Sequence, residues 1–301
     1  MKIFNLDQVQ KSINITKDLE ELINFQKAAF IDYSSGLYDV PAPMQFVFPG
    51  PRSDCHIKGG YRQRSEHFVV KIAGSSKFGN NGEILVFDVE SCELKVILQD
   101  KGYLTTLRTA IAGMIVLQLM PWTLHNIGII GSGSLAGQLY ELAREKYPKA
   151  NVMLYARNKV RATTIGDLVC NSAQDLVTKC DVVFTTTSSL EPIIYAIPEK
   201  SRNTAIIGLG SDDEHKSEIS LQVFKAADMV IVDSKLQAAK FGDISKALKE
   251  DIITQDALIE LGAVLKSGVS ENTKTIIADF SGIGAQDVAI AEFVLSRLVP
   301  N

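Results

Sequence analysis

A glycine-rich turn at residues 127–137 is the segment whose residue types and spacing most clearly indicate chemistry. It reads I-G-I-I-G-S-G-S-L-A-G and fits G-x-G-x-x-G/A at Gly131, Gly133 and Ala136. In this pattern the first glycine permits a tight turn, the second lets a pyrophosphate approach the backbone, and the third small residue lets a helix pack on the sheet. The phosphates bind free N–H groups at the helix N-terminus.

The context of this turn favours a dinucleotide site over a purely structural glycine turn. An apolar strand is predicted before it, at 126–130, and a helix after it, at 135–147, as the motif requires. We therefore predict that the cofactor contacts Gly131, Ser132, Gly133, Ser134, Leu135 and Ala136.

The end of the next predicted strand, at 151–155, bears on which dinucleotide binds. An NAD site usually has an acid there, whereas an NADP site lacks the acid and offers an arginine. This chain has Ala156 followed by Arg157 and Asn158, with Lys159 and Arg161 close behind. We predict that Arg157 and Asn158 contact the cofactor and that NADP(H) is preferred to NAD(H). The alternative is a solvated basic helix start.

The elements that must position these residues change in character along the chain. Residues 40–100 contain strands separated by turn residues, which predicts an antiparallel β region after a first helix at 17–35. From 126 to 278, strands alternate with helices, the second helix being expected at 160–169, which predicts a parallel sheet. The predicted fold class is α/β: a Rossmann-type doubly wound parallel sheet at 113–283, plus a smaller β-rich α+β domain for dimerisation and substrate at 1–112 and 284–301.

Composition excludes several classes of protein. The net charge of −4 argues against a general nucleic-acid binder, which is normally basic. The four cysteines form no CxxC pair or zinc pattern, so we expect no metal site. The N-terminus lacks the pattern of a signal peptide, and no apolar run reaches the roughly 18 residues of a membrane span. We expect a cytoplasmic protein without membrane partners.

Four segments together resemble the ornithine cyclodeaminase and μ-crystallin family, and the resemblance covers nearly the whole chain. F-V-V-K ending at Lys71 is similar to the family's strand with a substrate lysine. Y-L-T-T-L-R-T-A at 103–110 is similar to its Y-L-T-x-x-R-T-A segment, and G-S-D-D-E-H-K-S-E at 210–218 to its G-x-D-x-x-x-K-x-E loop. D-F-S-G-I-G-A-Q-D at 279–287 is similar to its closing D-S-T-G…Q-D run.

The resemblance implies a Rossmann domain, a β-rich domain that pairs two subunits as a homodimer, and hydride transfer between a nicotinamide and the α-carbon of an amino or imino acid. It implies catalytic roles for three residues: Arg108 holding the substrate carboxylate, Lys71 as a second carboxylate contact, and Asp212 as general acid or base. Asp213 beside it leaves the choice of carboxylate open. Lys216 would contact the cofactor, and the predicted cofactor set also includes Thr109, Thr186, Thr187 and Ser281.

The chain departs from the family's cyclodeaminases in two places. Where those enzymes carry P-x-R, residues 41–44 read P-A-P-M, so one carboxylate arginine is missing. In addition, His56 and Lys58 lie near the position where other members of the family have a methionine. The two residues are separated by one residue and lie on the same face of a predicted strand. They can bind a second carboxylate or replace the lost arginine. A structural role for His56 is the alternative.

Three functions therefore remain open for this sequence. The leading one is an NAD(P)H-dependent reductase of an α-imino acid, of ketimine reductase or amino-acid dehydrogenase type. The second is ornithine cyclodeaminase, an NAD-dependent lyase, against which the missing arginine and missing acid count. The third is a non-catalytic crystallin-type ligand-binding protein, against which retention of Lys71, Arg108 and Asp212 counts.

Overall fold

The computed structural model describes residues 1–49, 54–76, 79–198 and 202–299 and divides the chain into two compact units. The first unit comprises Met1–Arg108 and Ile283–Asn301, and the second comprises Thr109–Gly282. The predicted boundaries, after residues 112 and 283, differ from these by a few residues, and the roles predicted for the two domains stay predictions. Within the predicted domains, residues 50–53, 77–78, 199–201 and 300–301 lie outside the described residues. None of the helices in the described ranges is long and apolar enough to cross a membrane.

The elements follow one another in an order that changes from mostly strands to alternating strands and helices. Up to the first long apolar helix they are β1 (Lys2–Phe4), α1 (Leu6–Lys11), α2 (Ile15–Ser34), β2 (Tyr38–Asp39), β3 (Met44–Val47), β4 (Asp54–Arg62), β5 (His67–Ser76), β6 (Gly79–Asp88), β7 (Leu94–Leu98) and α3 (Tyr103–Leu117). After it come β8 (Asn126–Ile130), α4 (Ser134–Lys146), β9 (Asn151–Tyr155), α5 (Lys159–Thr163), α6 (Ala173–Lys179), β10 (Val182–Thr185), β11 (Thr204–Gly208), α7 (Leu221–Lys225), β12 (Met229–Val232), α8 (Lys235–Ala238), α9 (Gly242–Lys249), β13 (Leu258–Glu260), α10 (Leu261–Ser267), β14 (Thr275–Asp279) and α11 (Gly284–Leu298).

The sheet of the first unit has the order β1-β7-β6-β5-β4-β2, with β3 also pairing β4. Every pair is antiparallel except β1 with β7, so the predicted antiparallel region is confirmed and gains a parallel edge strand. Apolar side chains of β5, β6 and β7 that face inward, among them Val69, Ile84 and Leu98, are buried. This alternation of inward and outward residues is the period of two that a half-buried strand shows.

Helix α11 packs against this sheet and against α2, which returns the end of the chain to the first unit. The approach is close because glycines meet: a methyl group added at Gly284 would overlap the backbone of Gly59, and one added at Gly60 would crowd Gly284. The absence of side chains on both surfaces therefore sets how near the first turn of α11 lies to β4. That closeness positions the polar residues that follow Gly284.

The second unit is built on a parallel sheet with the order β13-β12-β14-β11-β10-β8-β9. All residues of β11 and β14 are buried, as expected for central strands covered on both faces. Strand β8 lies between β9 and β10, so the chain first continues to one side of β8 and then crosses to its other side. In such sheets ligands bind at the carboxyl ends of the strands where the order reverses.

One predicted helix in this unit is wrong in extent. The sequence predicted a helix at 160–169, but α5 ends at Thr163, and residues 168–170 pair with the edge strand β9. Leu154 donates its N–H to the Leu168 carbonyl and accepts from the Cys170 N–H. Hydrogen bonding to an open sheet edge therefore overrode the helical pattern in this short segment.

Candidate functional site

The predicted cofactor residues of the second unit, apart from Thr109, and the predicted catalytic Asp212 lie at the carboxyl ends of five adjacent strands. In sheet order these ends carry Ser281 after β14, Asp212 and Lys216 after β11, Thr186 and Thr187 after β10, Gly131 to Ala136 after β8, and Arg157 and Asn158 after β9. Because the strands are parallel, these ends lie along one edge of the sheet. Thr109 instead lies half-buried in α3.

The turn after β8 requires a glycine at its first position. Gly131 has φ +136°, and a methyl group there would overlap the hydroxyl of Thr186. The Gly131 N–H donates to the Tyr155 carbonyl at 2.8 Å, and the Thr186 hydroxyl donates to the Ile130 carbonyl at 2.9 Å. The turn is thus held between the ends of β9 and β10.

The helix that follows presents an N-terminus suited to an anion. Gly133 is the N-cap of α4 and supplies no side-chain cap, so the first N–H groups of the helix have no side-chain acceptor at that position. A methyl group added at Gly133 would meet nothing within 4 Å, whereas Ala136 is fully buried against the sheet. An open glycine N-cap above a tightly packed alanine fits the pyrophosphate of a dinucleotide.

At the end of β9 no acidic residue follows the strand. Ala156 is buried, Arg157 is exposed, and Asn158 caps α5 by accepting the Arg161 N–H at 3.1 Å. In the part of the chain that the structure describes, Arg157 forms no ion pair with an acid. Its guanidinium is therefore a cation at this strand end that is not committed to a carboxylate.

Glu218 organises the loops after β10 and β11. One of its oxygens accepts the N–H and the hydroxyl of Thr187 at 2.6 and 2.8 Å, and the other accepts the Thr185 hydroxyl and the Gly210 N–H at 2.7 and 2.9 Å. Burial raises the pKa of Glu218 to about 7, even though these hydrogen bonds act to lower it. In the sequence Glu218 is only the last residue of the G-x-D-x-x-x-K-x-E segment, so its positioning role was not predicted.

The structure distinguishes the two adjacent aspartates of the 210–218 loop. Asp213 accepts the N–H groups of His215 and Lys216 on a single oxygen, and its side chain is only 9% exposed. Asp212 is 38% exposed. The Lys216 ammonium pairs with Asp212 at 2.6 Å and with the other oxygen of Asp213 at 3.4 Å. Asp213 therefore shapes the turn, while Asp212 is the carboxylate of the two that a ligand can reach.

Buried basic and acidic side chains meet in the first unit. Lys71 on β5 and Arg108 on α3 both donate to the same oxygen of Asp287, at 3.0 and 3.1 Å, and all three side chains are at most 4% exposed. Arg108 also contacts Gln286, which donates back to the Arg108 carbonyl. The second oxygen of Asp287 has no hydrogen-bond partner among the described residues, a condition that a ligand donor would relieve.

The environment changes the pKa values in this cluster. Burial, together with Arg108 and Lys58, lowers the pKa of Lys71 to about 7, although its contact with Asp287 acts in the other direction. Burial alone would raise the pKa of Asp287, but Lys71, Arg108 and Lys58 hold it below its usual range. Positive charge therefore dominates, which is the property of an anion-binding site.

His56 and Lys58 lie on the inner face of β4. They are 8% and 5% exposed, and Lys58 is the direct cross-strand partner of Lys71. His56 contacts Asp54 through Nε2 at 3.3 Å. Lys58, Lys71 and Arg108 thus act together on Asp287, and His56 lies on the same face of β4 and pairs with Asp54, whereas Asp212 belongs to the second unit.

Two features of these sites were not predicted from the sequence. In the sequence Asp287 is only the last residue of the closing motif, and the one local signal was an acid in the first turn of a mostly apolar helix. Ser281 is buried and accepts a hydrogen bond from Gln237 at 2.7 Å, a contact that no sequence pattern indicated. Within the described ranges, no cluster of His, Cys, Asp or Glu side chains is arranged to hold a metal ion.

Comparison with known sequences gives consistent matches over the chain. The model of the ornithine cyclodeaminase/mu-crystallin family matches residues 6–301. An uncharacterized cyclodeaminase of Sinorhizobium fredii is 27% identical over 280 residues, covering 86% of this chain and 84% of the relative. An alanine dehydrogenase of Archaeoglobus fulgidus is 26% identical over 308 residues, covering 95% and 92%. A Δ1-pyrroline-2-carboxylate reductase of Bacillus cereus is 23% identical over 303 residues, covering 93% and 92%.

Solved structures share the fold. The Δ1-pyrroline-2-carboxylate reductase of Thermococcus litoralis, in complex with NADH and L-proline, superposes with a TM-score of 0.86 at 19% identity and covers 99% of this chain and 97% of its own. An archaeal alanine dehydrogenase dimer with bound NAD superposes with a TM-score of 0.86 at 23% identity, covering 98% and 95%. At these identities the likeness shows the fold alone.

Proposed function

The chain belongs to the ornithine cyclodeaminase/mu-crystallin family, and from that premise we propose that it is an NAD(P)H-dependent reductase of an α-imino acid. The observation that carries the proposal is the buried cluster in which Lys71 and Arg108 share one oxygen of Asp287. Such an excess of buried positive charge is costly without an anion, and the carboxylate of an imino acid supplies one.

Arg108 and Lys71 bind and orient the substrate carboxylate in this proposal. A guanidinium forms two parallel hydrogen bonds to a carboxylate, which fixes the direction of the α-carbon. Asp287 holds both cations in place from within the first unit. The approach of the substrate anion favours the charged form of Lys71, whose pKa is about 7 in the protein alone.

Asp212 is proposed as the group that transfers the proton at the substrate nitrogen. An α-imine accepts hydride at carbon only when its nitrogen is protonated or becomes so, which calls for a general acid. The greater exposure of Asp212 and the commitment of one Asp213 oxygen to two backbone N–H groups support the choice of Asp212 over Asp213.

The residues at the strand ends of the second unit fit a nicotinamide dinucleotide. Gly131 to Ala136 would hold its pyrophosphate, and Thr186, Thr187, Lys216, Ser281 and Thr109 are proposed as further contacts. When bound, this cofactor supplies the hydride. For the adenosine end we propose NADP(H) over NAD(H), because Ala156 stands where an acid would hold a ribose hydroxyl and Arg157 is uncommitted.

A homodimer is proposed for the assembly. The edge strand β3 and the residues after it expose Met44, Phe46, Val47 and Phe48, with between 48% and 67% of each accessible. Contiguous exposed apolar side chains on a sheet edge are typical of a surface that another chain covers. Light scattering that gave the 32.9 kDa mass of one chain at working concentration would contradict this.

The test of the proposed activity is oxidation of NADPH or NADH in the presence of a panel of imines. The panel comprises pyrroline-2-carboxylate, piperideine-2-carboxylate, iminosuccinate, and pyruvate with ammonia or methylamine. Reduction of at least one imine is expected. A cyclodeaminase would instead convert ornithine to proline and ammonia with no net change in the cofactor, and a ligand-binding protein would do neither.

A further inference from the structure

Gln286, the third residue of α11, contacts Arg108 through both polar atoms of its side-chain amide. Its Oε1 accepts an N–H of the Arg108 guanidinium at 3.4 Å, and its Nε2 donates to the Arg108 carbonyl at 3.3 Å. The amide thus joins the main chain of Arg108 to the end of its side chain. Since Gln286 is buried, these contacts are shielded from bulk water, which strengthens them.

A third contact fixes which end of the amide is the oxygen. The Ile283 N–H at the start of α11 donates to Gln286 Oε1 at 3.2 Å. If the amide were rotated by half a turn, its NH2 group would face two donors, and its oxygen would face the Arg108 carbonyl. The three contacts therefore agree on one orientation, in which the guanidinium meets an acceptor.

The main chain of Gln286 is held independently of its amide. Gln26 on α2, which is fully buried, donates through Nε2 to the Gln286 carbonyl at 3.0 Å. Two residues earlier, Gly284 lies close against the backbone of Gly59 on β4. Gln286 is therefore a fixed partner for Arg108, as a residue that positions a binding group must be.

These contacts divide the five N–H groups of the Arg108 guanidinium. Nε donates to Asp287 Oδ1 at 3.1 Å, and NH1 uses one hydrogen on Gln286. NH2 donates to no acceptor within the described residues, and unlike Asp287 Oδ2 it is not fully enclosed. The edge formed by NH2 and the second hydrogen of NH1 is thus the one that can bind both oxygens of a carboxylate.

The neutral charge of Gln286 suits this arrangement. A carboxylate in its place would also accept from NH1, but its negative charge would compete with a substrate anion for Arg108. It could not donate to the Arg108 carbonyl either, because an ionised carboxylate has no hydrogen to donate. The amide holds the guanidinium and leaves its charge to Asp287 and a ligand.

We infer that Gln286 is a positioning residue for substrate binding: it holds Arg108 so that the free edge of the guanidinium faces the substrate carboxylate. The inference rests on the proposed function, in which Arg108 binds that carboxylate. It names a residue that acts through Arg108 without touching the substrate. The other reading is that Gln286 only caps α11, because its oxygen satisfies the Ile283 N–H.

The experiment measures the Kd of pyrrole-2-carboxylate by isothermal titration, together with KM and kcat for the imine that the protein reduces best. Gln286→Met has nearly the same length and makes neither contact with Arg108. Its Kd and KM are expected to rise about tenfold, because a hydrogen bond to a charged group is worth that factor or more. kcat and the Kd of NADPH should change little, since the substrate carboxylate is bound alike before and during hydride transfer.

Gln286→Glu separates the two readings. It keeps an acceptor for the Ile283 N–H, and glutamate is favoured at this position of a helix, so a capping role alone predicts the wild-type Kd. The positioning role predicts a Kd raised about tenfold, because the new charge occupies the guanidinium. This variant decides the question if Gln286→Met does not fold.

Gln8→Met is the matched control. Gln8 is also the third residue of its helix, α1, and its side-chain oxygen accepts the Asn5 N–H at 3.0 Å. It lies on the exposed side of that helix and forms no contact with an arginine among the described residues. Its substitution should leave the Kd of pyrrole-2-carboxylate and the KM unchanged.

A double-mutant cycle tests whether Gln286 acts through Arg108. Arg108→Lys keeps the charge but has no fork to orient, so Gln286→Met should raise the Kd much less in that background. An equal rise in both backgrounds, a wild-type Kd in Gln286→Glu, or a parallel loss of NADPH binding would overturn the inference. A wild-type protein that binds pyrrole-2-carboxylate but reduces no imine would instead overturn the proposed function. Failure to bind this carboxylate at all would overturn both.

Discussion

Lys58 and Lys71 are direct cross-strand partners on β4 and β5, and both side chains are buried. Like charges in opposed positions destabilise an antiparallel pair, and burial adds the cost of desolvation. Asp287 compensates part of this cost through its contact with Lys71. A substrate carboxylate bound beside Lys71, as proposed, would offset more of this cost.

The pKa of Lys71 predicts how carboxylate binding depends on pH. Since that pKa is lowered from 10.5 to about 7, the ammonium is charged below pH 7 and neutral above it. We expect kcat/KM, and the affinity for a non-reactive carboxylate such as pyrrole-2-carboxylate, to fall as the pH rises through about 7. Isothermal titration at several pH values measures this.

The matched variant for that prediction is Lys71→Met. It should bind the carboxylate more weakly at pH 6, on the order of tenfold or more, and the dependence between pH 6 and 8 should be lost. Arg108 stays charged throughout this range and cannot produce the transition. A wild-type affinity that is constant from pH 6 to 8 would contradict the assignment to Lys71.

The two aspartates of the 210–218 loop should respond differently to the same substitution. Asp212→Asn removes the proposed proton donor and should reduce kcat by about 10²–10⁴ without loss of cofactor binding. Asp213→Asn should be milder, because asparagine retains the oxygen that accepts both backbone hydrogen bonds and loses only the longer ion pair with Lys216, at 3.4 Å. Steady-state kinetics at saturating cofactor make the comparison. If the Asp213→Asn protein is inactive and the Asp212→Asn protein is active, Asp213 and not Asp212 is the proton donor.

Cofactor preference should depend on the end of β9. Ala156→Asp introduces an acid near the position of a ribose 2′-hydroxyl and should shift the preference towards NADH. Arg157→Gln should weaken NADPH binding about tenfold and NADH binding much less, since only NADPH has a 2′-phosphate. Arg144→Gln, on the exposed side of α4, serves as the control. Fluorescence titration with both nucleotides measures these changes. Equal weakening of NADPH and NADH binding in Arg157→Gln would contradict the proposed role of Arg157.

Glu218 should make the protein less stable as the pH rises from about 4.5 to 7. Its pKa is 4.5 in a free side chain and about 7 in the fold, so the folded state binds more protons than the unfolded state within this window. The free energy of unfolding therefore decreases with increasing pH there. Asp279 and Asp243, whose pKa values burial also raises, act in the same direction.

Comparison with Glu218→Gln isolates the contribution of this one carboxyl group. The variant should be less stable, because its amide NH2 must face a hydrogen-bond donor such as the Thr187 or Gly210 N–H, at a cost of about 1–3 kcal/mol. Denaturant unfolding should show that the difference in stability from wild type is largest near pH 4.5 and shrinks towards pH 7. A difference that does not vary with pH would rule out this titration.

Local patterns determined much of the second unit. The bounds predicted for two strands, 126–130 and 151–155, coincide with β8 and β9. Short apolar runs ended by glycine or polar residues define such strands without reference to distant parts of the chain. The helix predicted at 160–169 failed because its second half hydrogen-bonds to an edge strand, a partner that local spacing does not reveal.

The sequence by itself determined the family, the class of fold, the glycine turn and the identity of the basic residues proposed to bind the substrate. Only the tertiary structure decided what balances their charge. Asp287 lies 216 residues from Lys71 and 179 from Arg108, and it reaches them because α11 returns to the first unit and packs on the glycines of β4. The same applies to Glu218, which joins two loops through four hydrogen bonds. Contacts of this range depend on how elements pack, and no local periodicity encodes them.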